Sequence, residues 1–214
     1  MTTVALIGHP VAHSLSPRMQ NAAFAAAGLE DWTYVARDVV PDRLEAAVRE
    51  VEFANVTAPY KREVARLLGS ELESVNTVVR ETGYSTDAAI LDLVTECHLP
   101  VIVGDGGAAV AFRTALPEAR VFSRRGAWPP DVAEADLVIH ATPVRDEVLF
   151  ELGEGQTLVD LPYPRTATAQ AAAVHRARVL DGLEVLVAQG AASFELWTGV
   201  PAPVAAMRAA LGLT

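Results

Sequence analysis

Lys61, Asp87 and the paired hydroxyls of Ser14 and Ser16 are the groups of this chain whose types and settings suit chemistry. Lys61 ends the run Asn55-Val56-Thr57-Ala58-Pro59-Tyr60-Lys61, behind a strand pattern and in the first turn of a helical one. A lysine there opposes the helix dipole, and a residue that breaks a local rule marks a candidate site. The dipole and partial burial would make it a readier proton donor; the ordinary alternative is a solvated surface lysine. Asp87, after Ser85-Thr86, is an acid at an expected helix start, which the dipole alone explains. Its functional reading is a carboxylate that holds Lys61 and binds a substrate hydroxyl. Ser14 and Ser16 lie in Gly8-His9-Pro10-Val11-Ala12-His13-Ser14-Leu15-Ser16-Pro17, between the apolar run Val4 to Ile7 and a helical pattern that Gly28 stops. Ser16 suits an N-cap and Pro17 the first helical position. Hydroxyls and free N–H groups at such a place favour a carboxylate or phosphate, though a plain capped connection reads equally well.

A second constellation suits a dinucleotide. Leu99-Pro100-Val101-Ile102-Val103 reads as a buried strand and leads through Gly104-Asp105-Gly106-Gly107-Ala108-Ala109 into an apolar helix, Val110 to Leu116. This is G-x-G-x-x-A between strand and helix. Gly104 permits the tight turn, Gly106 lets a pyrophosphate approach the backbone, and Ala109 allows close packing. The next strand ends Phe122-Ser123-Arg124-Arg125, where an NAD-binding chain carries an acid. A serine and two arginines suit a 2′-phosphate instead, which selects NADP(H). Asp105 either faces the pyrophosphate, where it repels it, or points to solvent.

These groups need an alternation of strands and helices to position them. Strand patterns fall near 4–7, 32–37 and 53–57, with helical ones near 16–27 and 41–50, then a hairpin at 75–85 and a helix from Asp87 to about Cys97. Further strands fall near 100–103, 119–122, 136–140 and 157–161, and helices near 189–197 and 202–211. The 214 residues, 51% of them hydrophobic, can bury one large core or two small ones. The net charge of −10 argues against nucleic acid. No apolar run is long enough for a membrane span and no basic leader precedes one, so a soluble cytoplasmic protein is expected. One cysteine, Cys97, excludes an internal disulfide and a cysteine-cluster metal site, and no metal is expected.

In this order along the chain, the motifs resemble the shikimate dehydrogenase family, which reduces 3-dehydroshikimate to shikimate with NADPH. The resemblance covers Gly8-His9-Pro10-Val11 through Ser14-Leu15-Ser16-Pro17 with Asn21-Ala22-Ala23-Phe24, then Asn55-Val56-Thr57 with Pro59 and Lys61, Val75-Asn76-Thr77 and Thr86-Asp87. It continues through Asp160-Leu161-Pro162-Tyr163 and Gly182-Leu183 to Leu186-Val187, Gln189, Phe194 and Trp197-Thr198-Gly199. It implies that Lys61 and Asp87 are catalytic and that Ser14, Ser16, Thr57, Asn76, Tyr163 and Gln189 bind substrate, the serines through its carboxylate. It implies cofactor contacts at Gly104, Gly106, Gly107, Ala108, Ser123, Arg124, Arg125 and Thr142. The chain is shorter than typical members, between Lys61 and Asn76 and through the cofactor half. His140 stands where asparagine is usual, Asp105 where alanine is, and Val185 where methionine is. The implied fold is a two-domain α/β protein. Residues 1–88 with 183–214 form a substrate domain, 89–182 a Rossmann-type NADP-binding domain, and the substrate lies in a cleft between them. The implied partner is a small-molecule substrate, with a homodimer left open. Quinate or an amino analogue, or a shortened paralogue that binds without turnover, are the alternatives.

Overall fold

The computed structural model describes residues 1–95 and 97–213. Glu96 and Thr214, each inside a segment assigned above, lie outside the described residues. The chain divides into two units, residues 1–86 with 187–214 and residues 87–186.

The first unit holds β1 (Thr2–Gly8), α1 (Ser16–Ala26), β2 (Trp32–Asp38), α2 (Leu44–Arg49), β3 (Phe53–Val56), α3 (Lys61–Leu67), β4 (Thr77–Val79) and β5 (Thr82–Tyr84). The sheet order is β2-β1-β3-β4-β5; β1, β2 and β3 run parallel, and β4 and β5 form an antiparallel hairpin. Strand alternation divides the side chains between two faces. Ala5, Ile7, Ala54 and Val56 pack with Leu44, Val48 and Val64 of α2 and α3. The intervening positions meet an aromatic cluster in which Phe24 touches Trp32 and Phe194, each at 5.5 Å between ring centres. Gly28 (φ +69°) ends α1 with the Leu29 N–H on the Phe24 carbonyl, a left-handed stop that glycine allows without strain.

The second unit holds β6 (Pro100–Val103), α4 (Gly107–Ala115), β7 (Arg120–Phe122), β8 (Leu137–His140), β9 (Thr157–Asp160), α5 (Ala167–Val174) and β10 (Arg178–Leu180). All five strands are parallel, in the order β10-β9-β8-β6-β7. This is a doubly wound sheet that reverses direction between β6 and β8, where such sheets bind ligands. Among the described residues the crossovers 123–136 and 141–156 contain no helix. Their apolar side chains do a helix's covering work: Val132, Ala135, Phe150 and Leu152 are buried against Val101, Val138 and Leu158. Gln156 fastens both loops, donating to the Val132 and Ala135 carbonyls and accepting from the Gly153 N–H.

The last helices are α6 (Gly182–Thr198) and α7 (Val204–Leu211). Residues 182–186 of α6 belong to the second unit and 187–198 to the first. α6 starts at a glycine because any Cβ at Gly182 would run into the Pro162 carbonyl oxygen.

Three local expectations need correction. Ser16 is the first helical residue of α1, not its cap; Leu15 holds that position. Ser14 serves the helix start instead, its Oγ accepting from the Ser16 N–H at 3.2 Å. Pro59 does not open α3, which follows Tyr60 and begins at Lys61. No α-helix runs from Asp87: residues Asp87–Leu93 form a 3-10 segment. Asp87 and Ile90 are its buried residues, and a spacing of three suits three residues per turn. α5 and β10 were not anticipated, because an alanine-rich run and a three-residue strand carry little periodicity.

Candidate functional site

In the first unit the candidate residues gather at the sheet edge formed by the carboxyl ends of β1, β2 and β3. β1 delivers the serine loop, where Ser14 Oγ lies 3.2 Å from Ser16 Oγ. β3 delivers Thr57, whose N–H donates to the Ile7 carbonyl at 2.9 Å and whose methyl closes the space beside Gly8. Lys61 follows at the start of α3, and its carbonyl accepts from the Val75 N–H at 3.0 Å. That bond brings the lysine's backbone beside Asn76. Because β4 runs antiparallel to β3, with Asn55 opposite Thr77, Asn76 falls at the same edge. His9 and Asp38 link the ends of β1 and β2 at 2.5 Å. Tyr60 donates to the Val39 carbonyl at 2.6 Å; burial, with Asp38 and Glu63 nearby, pushes its phenol up and keeps it a neutral donor.

Behind this edge lies a buried polar network that sequence reasoning missed. Asn55 donates to the Asn76 carbonyl, to Thr77 Oγ1 and to Ser193 Oγ, and accepts from the Tyr34 hydroxyl. Ser193 Oγ lies 2.8 Å from Thr77 Oγ1 and 3.0 Å from Thr86 Oγ1, and donates to the Gln189 carbonyl at 2.9 Å. The Thr86 N–H donates to Asn76 Oδ1 at 2.7 Å. The side chains of Asn55, Asn76, Thr77, Thr86 and Ser193 are all buried. The network fixes Asn76, the α6 turn that carries Gln189, and the residue before Asp87. In sequence its members are ordinary polar positions; only the strand register brings them together.

The second unit carries Asp87, Tyr163 and the dinucleotide candidates. Gly104 (φ +131°) makes the turn after β6, and a Cβ there would meet the Ala141 carbonyl oxygen at 2.5 Å. Its N–H donates to the Phe122 carbonyl, which ties the turn to the end of β7. Gly106 caps α4 in extended conformation and has open space where a Cβ would sit. Gly107 and Ala108 form the first turn of that helix, whose N–H groups suit a pyrophosphate. These residues fit the group. Past β7, Ser123 accepts from the Gly126 N–H in a tight turn. Arg124 pairs loosely with Glu147 at 3.6 Å and lies over the Trp128 ring at 5.6 Å. Arg125 pairs with Asp105 at 3.8 Å, so the acid in the glycine turn faces a cation. Thr142 follows β8 beside the glycine turn. Burial, with Asp136 and Glu118, pushes the Cys97 thiol up and away from nucleophilic use.

Known proteins match both ends of the chain and its whole length. The shikimate dehydrogenase substrate binding domain matches residues 6–78, and the shikimate 5′-dehydrogenase C-terminal domain matches residues 182–211. A shikimate dehydrogenase (NADP(+)) of Anaeromyxobacter dehalogenans is 35% identical over 262 residues, covering 96% of this chain and 94% of the relative. One of Halobacterium salinarum is 34% identical over 99% of this chain and 98% of its own. These alignments are longer than the chain, so the length difference is internal. The structure of shikimate 5-dehydrogenase from Thermus thermophilus in complex with NADP(H) and shikimate superposes with a TM-score of 0.84 at 28% identity, covering 98% of each chain. The chain belongs to the shikimate dehydrogenase family.

Proposed function

We propose that this protein catalyses the reversible, NADP-dependent reduction of 3-dehydroshikimate to shikimate in the cytoplasm. The observation that carries this reading is the sharing of one sheet edge by Ser14, Ser16, Thr57, Lys61 and Asn76, inside a chain of this family. Paired hydroxyls suit the substrate carboxylate, and a lysine a few residues along the edge suits a carbonyl oxygen that must gain a proton. Bound NADPH supplies a hydride to the ring carbonyl carbon. Lys61 stabilises the alkoxide that develops and donates the proton that makes it a hydroxyl. Asp87 orients the ammonium and accepts a hydrogen bond from the neighbouring ring hydroxyl. Asn76 and Gln189 hold the ring hydroxyls, and Thr57 and Tyr163 line the substrate. Arg124, Arg125 and Ser123 take the 2′-phosphate, and Gly104, Gly106, Gly107 and Ala108 admit the pyrophosphate.

Nicotinamide absorbance with shikimate and quinate, each against NADP and NAD, tests the reading. Shikimate with NADP should turn over fastest. Preference for quinate would reassign the substrate, and shikimate binding with no turnover would mark a ligand-binding relative. Lys61→Ala should lower kcat by about 10²–10⁴-fold with shikimate binding little changed; unaltered turnover would remove Lys61 from the mechanism. Ser14→Ala with Ser16→Ala should instead raise KM for shikimate by about tenfold or more.

A further inference from the structure

His140 and Asp160 form a fully buried pair that the mechanism above does not use. His140 ends β8 and Asp160 ends β9, side by side in register, with Nδ1 to Oδ1 at 2.7 Å and both side chains fully shielded from solvent. Asp160 is also bonded by Thr166, whose Oγ1 donates to Oδ1 at 3.0 Å and whose N–H donates to Oδ2 at 3.1 Å. A carboxylate collecting three donors accepts only, so the imidazole proton lies on Nδ1. In the neutral imidazole Nε2 is then a bare acceptor. It lies 2.7 Å from Thr142 Oγ1, and in that form accepts a hydrogen bond from the hydroxyl. The Val144 N–H donates to the same oxygen at 3.3 Å. One lone pair of Thr142 Oγ1 is left, and no proton.

We propose that His140, braced by Asp160, is a positioning residue that sets the Thr142 hydroxyl as an acceptor for the carboxamide N–H of the nicotinamide. The inference rests on the NADP reading above. The sheet order carries the assignment of the ligand half. The pyrophosphate belongs at the glycine turn after β6, and Arg124 and Arg125 place the adenosine phosphate over β7 on one side. The other nucleotide half must then cross the switch point to β8, where Thr142 stands. The Ala141 backbone also packs on Gly104, so the Thr142 loop and the glycine turn are built against each other. An acceptor-only oxygen repels a phosphate and suits an amide N–H.

Calorimetric binding without shikimate separates the alternatives, using NADPH and its reduced 3-acetylpyridine analogue. The analogue keeps the carbonyl and lacks the N–H donor. The unaltered protein should prefer NADPH by about five- to tenfold, the value of one hydrogen bond. Thr142→Val should weaken NADPH by that factor, leave the analogue unchanged and erase the preference; Thr142→Ser should retain it. His140→Asn, which keeps a polar group on β8 but falls short of Thr142, should erase the preference as Thr142→Val does, and adding Thr142→Val should then change nothing more. Thermal melts establish that each variant is folded, and the Thr142 variants decide the matter if His140→Asn is not. A preference that survives Thr142→Val or His140→Asn, or equal weakening of both ligands, overturns the proposal while leaving the NADP reading intact. Failure of the unaltered protein to bind NADPH overturns that reading and this inference with it.

Discussion

The two units treat their polar groups in opposite ways. In the first, Asn55, Asn76, Thr77, Thr86 and Ser193 are buried and spend their hydrogen-bonding capacity on one another across two strands, the ends of the hairpin and a helix. In the second, the arginines proposed for a phosphate stand at the surface, Arg124 64% exposed and Arg125 87%, in long pairs with Glu147, as exposed as its partner, and with Asp105, about half as exposed as its own. Surface pairs of that kind contribute little and exchange freely. A buried network cannot exchange, because a lost partner strands a group away from water. The edge proposed for substrate is therefore held fixed before a ligand arrives, whereas the contacts proposed for the cofactor would be traded for existing ones. The exception in the second unit is the His140–Asp160 pair, which has the character of the first.

Four substitutions put this contrast at risk. The largest effect concerns the loops that stand in for helices. Phe150→Ala should destabilise the second unit by about 3–5 kcal/mol in urea unfolding, the range for a buried aromatic. A loss below about 1 kcal/mol would mean the loop does not cover the sheet as a helix does. Ser193→Ala should cost about 1–3 kcal/mol and raise KM for shikimate, since it removes the side-chain bond to the Gln189 carbonyl and strips Asn55, Thr77 and Thr86 of a partner. A neutral result would reduce the network to packing. Arg124→Ala should weaken NADPH by about 10- to 100-fold and leave NADH nearly unchanged, and the NADPH affinity should fall with added salt. Equal effects on both nucleotides would remove the 2′-phosphate contact.

The smallest effect is a pH dependence. Burial pushes Asp136 up, but the His98 and Leu99 N–H groups, at 2.5 and 2.9 Å, outweigh it and hold the carboxyl below its ordinary value. A carboxyl lowered on folding stabilises the protein above its unfolded value, about pH 4, and that stability is lost as pH falls through the folded value. The gap in urea midpoint between Asp136→Asn and the unaltered protein should be open at neutral pH and should close on acidification below about pH 4. A gap of constant size would show that the N–H bonds do not favour the charged form.

Much of this was legible in the chain. Glycines and alternating apolar runs marked β1, β3, β6 and the turn after β6, because those features act locally. Lys61, Ser14 and Arg124 stood out by breaking or completing local rules. Ser16 misled because the local cap rule does not anticipate the helix starting one residue earlier, with Leu15 as its cap and the Ser16 N–H held by Ser14 Oγ. Asp87 misled because three-residue and four-residue spacings cannot be told apart in a single short turn. The buried network was invisible because hydroxyls and amides look alike in a sequence whether buried or not. Asn55 and Ser193 are far apart along the chain, and only pairing in three dimensions joins them. The helix-free crossovers were signalled only by missing length.

Those crossovers also govern how the protein can vary. A covering helix spreads burial along a stripe, so neighbouring turns absorb the loss of one side chain. Here Val132, Ala135, Phe150 and Leu152 join Ala169 and Ala172 of α5 in one cluster as isolated loop anchors, and substitutions at those four have little slack. Between the anchors, residues 145–148 are exposed and form no strand or helix. Loop closure grows only slowly more costly with length, so such a stretch tolerates added residues well. The second unit is thus narrow in what it accepts at four positions and permissive in how long it becomes between them, a doubly wound sheet that can be lengthened one crossover at a time.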